Sequence, residues 1–388
     1  MHIAFLTSEY PHAKFGKTGG IGTSIKNVAE ALVNKDCKVS IFVYSQNFEE
    51  VFIENGITFY VIKNKKYKFG KGWFYRKHVQ HYINNIIKQQ AIDVLEAPDW
   101  TGFTAFMNFK IPLVLRLHGS DTYFCNLEKR PVKFKNKFFE KVALKSANAI
   151  VSPSKFTANL TAQLFNLNPS KINVIANGID VEQFNYNIDL NIIPNTILYF
   201  GTLIRKKGVL EMPNIFKEVL KKIPTAQLIL IGNDSYDIVS KSTSTWQLIK
   251  EQFTPNELDK VTYLGRIPYE EIQNHIAQAH TCIFPSLAET FGMVTAEAMA
   301  MGKAVVSSNM GWSNELIENN VSGLLANPLN HVEFAQAICT ILQNDETANI
   351  VSNNAILQVQ HNFSSDIIAT KNIKFYKSVL ISHDCISS

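Results

Sequence analysis

Residues 281–308 read TCIFPSLAETFGMVTAEAMAMGKAVVSS and contain a complete strand–helix–strand unit. The apolar run Cys282–Phe284 predicts a buried strand, and Ala304–Ser307 predicts another. Between them, Thr295–Met301 predicts a helix that stops at Gly302, because glycine commonly ends helices. Since two buried strands joined by a helix normally pair in parallel, this segment predicts an α/β domain.

The same alternation of short apolar strands and amphipathic helices runs through both halves of the chain. It extends from Ile3 to Ile175 and again from Thr196 to Gln343. Strands of this kind indicate a parallel sheet that helices cover on both faces. Each half is therefore predicted to be a doubly wound, Rossmann-like domain.

Residues 180–195 separate the two halves and predict a linker, because they contain four Asn and one Pro and show no clear period. We therefore predict an N-terminal domain at residues 1–180 and a C-terminal domain at residues 196–365. Residues 366–388 are predicted to form a last helix that packs near the hinge. Doubly wound domains bind ligands at the carboxyl ends of their strands, so the site is expected in a cleft between the two domains.

The composition excludes several classes of protein. With 388 residues, 46% hydrophobic and 18% charged, the chain has enough apolar material for more than one core, which excludes disorder as its main state. No run reaches the roughly 18 uninterrupted apolar residues of a membrane-spanning helix, and the first residues do not resemble a signal peptide. Five scattered cysteines without a CxxC pair argue against a zinc cluster or a disulfide framework. We expect a cytoplasmic protein.

The net charge of +5 is unevenly distributed. Residues 63–88 carry eight basic residues and no acidic one, and residues 129–145 carry seven basic residues against Glu140 alone. Aromatic residues interleave with these cations, namely Tyr67, Phe69, Trp73, Phe74, Tyr75, Phe134, Phe138 and Phe139. Cations attract anionic headgroups and aromatic rings favour the membrane interface, so this pattern predicts peripheral contact with an anionic membrane rather than with nucleic acid. The alternative is a pair of solvated helix faces with their aromatic residues in the core.

Three polar loops follow predicted strands. Gly19–Gly22 (GGIG) precedes a helix, where backbone amides attract anions, although Ile25 stands where a dinucleotide fingerprint needs its third glycine. His118 follows an apolar strand, in LHGSD, and can donate to a phosphate or a sugar hydroxyl. Gly201–Gly208 (GTLIRKKG) places three cations between a strand and a helix, which suits a diphosphate. The alternatives are a flexible turn, a histidine satisfied by the local backbone, and a solvated basic loop.

Glu289 and Glu297 form an E-x7-E pair around the start of the predicted helix. If the segment were helical throughout, eight residues would rise about 12 Å and place both carboxylates along one groove. Glu297 lies among Ala and Met, where a buried carboxylate needs a hydrogen-bonding partner such as ribose hydroxyls. The alternative is a glutamate paired with a neighbouring cation.

With this pair in place, the segment PSLAETFGMVTAEAMAMGKAVV resembles the donor site of retaining GT-B glycosyltransferases of family 4. The resemblance extends over nearly the whole chain. It includes the GGIG loop, EAPDW (96–100), HGSD (118–121), SANAIVSPSKF (146–156), NGID (177–180), GTLIRKKG (201–208) and GWSNELIENNVSGLL (311–325).

The resemblance implies a role for each matching residue. Glu289 would bind hydroxyls of the donor sugar, Glu297 the ribose and Lys207 the diphosphate, while His118 would lie close to the transferred sugar. The family often has an arginine directly after the first glycine of GTLIRKKG, where this chain has Thr202, so we assign that role to Arg205. The remaining implied contacts are diphosphate contacts from amides at Gly20, Gly22, Phe291, Gly292, Met293 and Val294, base contacts at Arg266 and Ile267, and acceptor contacts at Trp100 and Asp121.

The implied reaction is a retaining, metal-independent transfer of a sugar from a nucleotide-diphosphate donor to a glycan or a lipid-linked acceptor of surface polysaccharide biosynthesis. The sequence has no Asp-x-Asp metal motif, and we expect no cofactor. Two alternatives stay open. One is a nucleotide-sugar epimerase or phosphorylase on the same fold, although no lysine for pyridoxal phosphate can be singled out. The other is a nucleotide-sugar-binding protein without turnover.

Overall fold

A computed structural model describes residues 1–16, 19–185 and 191–387 of the protein. The chain divides into two compact units. Unit 1 comprises Met1–Gly178 with Ser365–Ser388, and unit 2 comprises Ile179–Ser364.

The strands of the described chain fall into two sheets. Those of unit 1 are β1 His2–Thr7, β2 Lys38–Gln46, β3 Glu50–Glu54, β4 Ile57–Lys63, β5 Val94–Pro98, β6 Leu113–Arg116, β7 Ala149–Ser152 and β8 Ile172–Val174. Those of unit 2 are β9 Thr196–Phe200, β10 Gln227–Ile231, β11 Val261–Tyr263, β12 Thr281–Phe284, β13 Val305–Ser308 and β14 Leu324–Ala326.

Helices follow most of the strands. They are α1 Gly20–Val33, α2 Lys71–Gln90, α3 Asp121–Leu127, α4 Phe134–Ser146, α5 Lys155–Phe165, α6 Met212–Lys222, α7 Thr245–Lys250, α8 Pro255–Leu258, α9 Tyr269–Gln278, α10 Met293–Ala300, α11 Ser313–Leu316, α12 His331–Gln343, α13 Asp345–Asn362 and α14 Ser365–Ser387.

Unit 1 is built on an eight-stranded sheet in the order β3-β4-β2-β1-β5-β6-β7-β8. Every pair is parallel except β3 with β4. Successive residues of β1 alternate between two hydrophobic cores, Ile3 and Phe5 in one and Ala4 and Leu6 in the other, because side chains of a strand point to opposite faces. Both faces are therefore buried, as the continuous apolar strands predict.

Unit 2 is built on a six-stranded sheet in the order β11-β10-β9-β12-β13-β14, with every pair parallel. The strand order reverses direction at β9, which lies between β10 and β12. In doubly wound sheets this reversal is where ligands bind. The predicted fold class, two Rossmann-like α/β domains, is confirmed.

Two features of unit 1 do not follow from the strand–helix rhythm. The edge strand β3 is antiparallel, because it forms a hairpin with β4 across Asn55-Gly56. The last helix α14 belongs to unit 1 and packs against α1. The predicted linker lies partly outside the described residues, which omit 186–190.

A buried polar network fastens α14 to the sheet of unit 1. Arg116 on β6 donates from Nε and Nη2 to Glu96 on β5, at 2.6 and 3.0 Å, and Nη2 also donates to Asn372 Oδ1 at 2.6 Å. The Tyr376 hydroxyl donates to Glu96 Oε2 at 2.7 Å. All four residues are buried, so water does not solvate the Arg116 and Glu96 charges. Their hydrogen-bonding partners come from within the network instead.

Candidate active site

The loops after β9 and β12 lie side by side because these two strands are direct neighbours in the sheet. The amides of Leu287 and Ala288 both donate to the Lys206 carbonyl, at 2.8 and 3.0 Å. Gly208 has φ +67°, and a Cβ there would lie 1.8 Å from the Pro285 carbonyl oxygen, so only glycine fits this contact. The GTLIRKKG loop is thereby held against the PSLAE loop.

This contact brings Lys207 and Glu289 together. The Lys207 ammonium forms an ion pair with Glu289 Oε1, and both side chains are mostly buried. Burial and the neighbouring Lys206 lower the pKa of Lys207 to about 7, while Glu297 acts in the opposite direction. The Glu289 carboxylate also favours the protonated lysine. One charged cluster at the carboxyl edge of the unit 2 sheet thus contains three residues predicted for donor binding: Lys207, Glu289 and Glu297.

The E-x7-E pair is not a helical pair, and the geometric expectation of a 12 Å helical rise is wrong. Glu289 lies in the loop, and α10 begins only at Met293, after Gly292 turns the chain with φ +96°. Glu297 lies within α10 and is 3% exposed. Its carboxylate acts electrostatically on Lys207, which lies in another loop, so helical periodicity does not relate the three charges.

The N-terminus of α10 adjoins the Glu289 loop. It has no side-chain cap and no acidic residue in its first turn. The amides of Thr295 and Ala296 donate to the Gly292 carbonyl, at 3.1 Å each, whereas the first amides of a helix have no partner within it. Such an end favours an anion, which agrees with the contacts predicted for Phe291, Gly292, Met293 and Val294.

Arg205 does not join the Lys207 cluster through the contacts described. Its guanidinium donates to both carboxylate oxygens of Asp237, at 2.8 Å each. Asp237 is buried and also accepts from the amide and hydroxyl of Ser240. The Arg205 hydrogen bond, with those of Ser240, lowers the pKa of Asp237 and keeps the carboxylate charged. Arg205 therefore fastens the loop after β10, and its assignment to the diphosphate stays a prediction.

The remaining unit 2 candidates lie in neighbouring loops. The Thr202 carbonyl, at the position where the family often has arginine, accepts from the Tyr199 hydroxyl at 3.1 Å. Arg266, which follows β11, is exposed, and Ile267 is half-buried. Both lie at the same carboxyl edge of the sheet as Lys207, since β11 runs parallel to β10 and β9. Their contact with a base stays a prediction.

In unit 1, His118 lies directly after β6, as predicted. Burial and the positive charge of Arg116 lower the pKa of His118 to about 3, so the ring is neutral near pH 7. Its Nε2 atom is buried and has no hydrogen-bond partner among the described residues. The backbone amide of His118 donates to Asp99 Oδ1 at 2.9 Å. A buried ring nitrogen without a partner is suited to a ligand hydroxyl or phosphate oxygen.

The two predicted acceptor residues differ in their surroundings. Trp100 is 40% exposed, so its ring is open to a ligand. Asp121 starts α3, and its Oδ2 accepts from Asn136 at 2.9 Å while Oδ1 lies 3.6 Å from Arg130. An acceptor that contacted the Asp121 carboxylate would share it with these partners, and both assignments stay predictions.

The GGIG loop already holds a carboxylate. Glu9 Oε1 accepts from the amides of Gly19 and Gly22, at 3.2 and 2.9 Å. The N-terminus of α1 has no side-chain cap from its own first turn, so Glu9, from the loop after β1, supplies the negative charge that this end favours. A diphosphate at the predicted contacts Gly20 and Gly22 would have to take the place of Glu9.

Replacing Glu9 with glutamine is therefore expected to tighten binding of uridine diphosphate by about fivefold. Glutamine keeps the side-chain shape, but its neutral oxygen competes less strongly for the amides than a charged one does. Isothermal titration would measure the change, with the exposed Glu49→Gln as a control of equal charge. Weaker binding in Glu9→Gln would mean that Glu9 shapes the loop for the donor and does not compete with it.

The sequence patterns did not identify three residues of these sites, namely Asp99, Glu9 and Asp237. Asp99 is buried, holds the His118 backbone, and has its pKa raised to about 7 by burial. Asp99 lies in the motif EAPDW directly after a strand, and Glu9 likewise follows β1. A position just after a strand could therefore have identified both residues as candidates. Asp237 lies in an irregular loop 32 residues from Arg205, and no local pattern points to it.

Comparison with known families agrees with this architecture. The family described as "Glycosyl transferases group 1" matches residues 184–358, and the family described as "Glycosyltransferase Family 4" matches residues 18–183. The two Rossmann-like units are those of the GT-B glycosyltransferase fold, and the two family models together match residues 18–358. The chain belongs to the group 1 glycosyltransferases of family 4.

Individual proteins are similar to this chain in sequence or in fold. An uncharacterized glycosyltransferase of Methanocaldococcus jannaschii is 25% identical over 97% of this chain and 98% of its own. The fold is similar to that of sucrose-phosphate synthase from Thermosynechococcus elongatus (TM-score 0.78, 20% identity, 98% and 99% of the two chains). It is also similar to Anabaena HepE in complex with UDP and glucose (TM-score 0.75, 20% identity, 97% and 99%). Among the residues described, no helix is long and apolar enough to cross a membrane.

Proposed function

We propose that this protein transfers a sugar from a nucleoside-diphosphate donor to a hydroxyl of a glycan or a lipid-linked acceptor, with retention of configuration and without a metal. We place this reaction in surface polysaccharide biosynthesis at the cytoplasmic face of the membrane. The observation that carries the proposal is the cluster of Lys207, Glu289 and Glu297 beside the uncapped N-terminus of α10. Structures of HepE with UDP and glucose support a uridine nucleotide as the first donor to test.

Each part of the cluster suits one part of such a donor. As the sugar leaves, negative charge grows on the diphosphate, and the Lys207 ammonium and the first amides of α10 are fixed positive groups that stabilise it. Glu289 in the loop suits hydroxyls of the transferred sugar, and the buried Glu297 suits a ribose. The positive charge is already in place before the reaction, so it costs no reorganisation.

Retention follows from a front-face reaction, in which the leaving phosphate accepts the proton of the attacking hydroxyl. The anomeric carbon passes through an oxocarbenium-like state while the bond to the phosphate oxygen breaks and the bond to the acceptor oxygen forms on the same face. His118, neutral and with a buried Nε2, is suited to donate to a sugar hydroxyl or a phosphate oxygen without adding charge.

A panel of nucleotide sugars tests the proposal. The protein is incubated with each donor, and release of free nucleoside diphosphate is followed with and without a chelator. Steady release from at least one donor, unaffected by chelation, is expected. Binding without release would favour a protein that only binds nucleotide sugars. The anomeric configuration of the product, determined by NMR, then tests retention, and an inverted product would reject the front-face mechanism.

A further inference from the structure

Two basic segments that are distant in sequence contribute to one surface of unit 1. Trp73 at the start of α2 lies 5.4 Å from Phe106, and Phe106 lies 6.1 Å from Phe138 on α4, measured between ring centroids. Phe138 in turn lies 6.4 Å from Phe134, one turn earlier on α4. These four rings form a continuous row, which we call the aromatic ridge.

The aromatic ridge faces water. Phe134 is 83% exposed, and Trp73, Phe138 and Phe106 are 47%, 45% and 38% exposed. Phe106 also has φ +64°, a conformation that bulky residues rarely adopt. Its carbonyl accepts from Lys77 Nζ at 2.7 Å, which ties the loop of Phe106 to α2. Four adjacent rings held outward in this way contribute little to the core, and such exposed apolar patches mark interaction surfaces.

Not all aromatic residues of the two segments belong to this surface. The Tyr75 hydroxyl accepts from the Ser45 amide at 2.7 Å, and the Tyr75 ring packs near Phe103. Phe139 is half-buried and packs against the unit 1 core and the Arg76 guanidinium. The structure therefore separates the aromatic residues that stabilise the domain from those that it presents to solvent.

The segments that supply the rings also carry uncompensated positive charge. The exposed lysines of these segments include eight that, within the described part of the chain, form no ion pair with a carboxylate: Lys65, Lys66, Lys68, Lys71, Lys133, Lys135, Lys137 and Lys141. The one acid within residues 129–145, Glu140, is buried and accepts from Asp121 and Thr122. The Glu140 carboxylate therefore binds groups inside the domain and does not neutralise the surface lysines.

We propose that the aromatic ridge and these lysines form a docking surface for a bilayer that contains anionic lipid. Lysines attract anionic headgroups over several ångströms, and aromatic rings insert at the level of the headgroups. Neighbouring ridge rings lie 5.4, 6.1 and 6.4 Å apart between centroids, so they form one apolar row that suits the continuous interface of a bilayer. The proposal deepens the proposed function by naming how the enzyme reaches a lipid-linked acceptor, but vesicle binding is measured without any donor, so the two can fail separately.

Co-sedimentation of the full chain with vesicles tests the proposal. The protein is expected to bind phosphatidylcholine vesicles that contain phosphatidylglycerol and not vesicles of phosphatidylcholine alone. In 1 M salt, where the Debye length is about 3 Å, the bound fraction is expected to fall sharply. The double variant Phe134→Ser/Phe138→Ser and the triple variant Lys133→Gln/Lys135→Gln/Lys137→Gln are each expected to weaken binding by about tenfold or more.

Matched controls lie in unit 2. Tyr236 is 50% exposed, and Lys222 and Lys250 are exposed and form no ion pair within the described part of the chain, so Tyr236→Ser and Lys222→Gln/Lys250→Gln remove similar chemistry from another surface. They are expected to bind vesicles like the wild type, and circular dichroism checks that every variant is folded. The proposal is overturned if the wild type does not bind anionic vesicles, if it binds neutral vesicles equally, or if the controls lose as much binding as the ridge variants. It is also overturned if only the lysine variant loses binding and a soluble polyanion such as heparin competes fully, since the surface would then recognise charge and not a bilayer.

Discussion

Replacing Lys207 or Glu289 with alanine is expected to reduce transfer by about 30-fold to 1,000-fold, which corresponds to a loss of about 2–4 kcal/mol of transition-state stabilisation. Lys207 supplies the cation proposed for the diphosphate, and Glu289, which pairs with it, supplies the carboxylate proposed for the sugar hydroxyls. Removing Lys207 also removes the ion pair that it forms with Glu289. Both residues lie in loops at strand ends, so truncation leaves no large cavity and the fold is expected to remain intact.

Release of nucleoside diphosphate from the best donor of the panel measures these effects. Lys206→Ala removes the same charge one residue away, in the same loop, and is expected to cost less than about fivefold.

Glu297→Gln is expected to raise the donor KM more than it lowers kcat, because a ribose contact is remote from the reacting carbon. In the double variant Lys207→Ala/Glu289→Ala the two losses are expected not to add, since the residues contact each other. Near-wild-type turnover in both single variants would remove the donor-site assignment.

Replacing Arg116 with alanine is expected to lower the free energy of unfolding by about 3–5 kcal/mol. The change leaves the buried Glu96 carboxylate with Tyr376 as its one remaining partner in the network and removes a donor to Asn372. Since Asn372 and Tyr376 both lie on α14, the docking of that helix is expected to weaken most. Hydrogen exchange of the α14 amides, together with urea denaturation, measures the effect at the place where it is expected.

Arg130→Ala serves as the control, because Arg130 forms a more exposed ion pair with Glu128 in the same unit and its loss is expected to cost at most about 1 kcal/mol. The double variant Glu96→Leu/Arg116→Met removes both charges, so its stability is expected to lie well above that of Arg116→Ala. If Arg116→Ala unfolds like the wild type, with α14 exchange unchanged, the network does not hold the helix and the argument from buried charge is wrong.

Positive charge at the candidate site is matched by internal carboxylates. Glu289 pairs with Lys207, Asp237 with Arg205, and Glu9 with the amides of the GGIG loop. If the diphosphate binds at these proposed positions, it must exchange with a carboxylate and does not simply occupy an open cationic pocket. Since the exchange replaces one anion by a more highly charged one, the net gain is smaller than the count of cations suggests.

Local pattern was sufficient to predict most of the architecture. Alternation of apolar strands with amphipathic helices gave two doubly wound domains, because the periods of strand and helix are properties of short segments. It also placed His118, Lys207 and Glu289 at the carboxyl ends of strands, since a polar loop after a buried strand can be recognised within about ten residues of sequence. Membership of the family rests on the same local motifs in their order.

The partners of these residues were decided by the tertiary structure alone. Lys207 meets Glu289 across 82 residues, because β9 and β12 are neighbours in a sheet whose strand order is not the chain order. Arg205 pairs with Asp237 from an irregular loop, and Phe106 meets Trp73 of α2 and Phe138 of α4 only in the folded unit. Helical spacing does not describe the relative positions of Glu289 and Glu297, because the chain turns at Gly292 and α10 begins only at Met293. A sequence specifies where polar groups occur along the chain, whereas the pairing of charges depends on distances that long-range packing fixes.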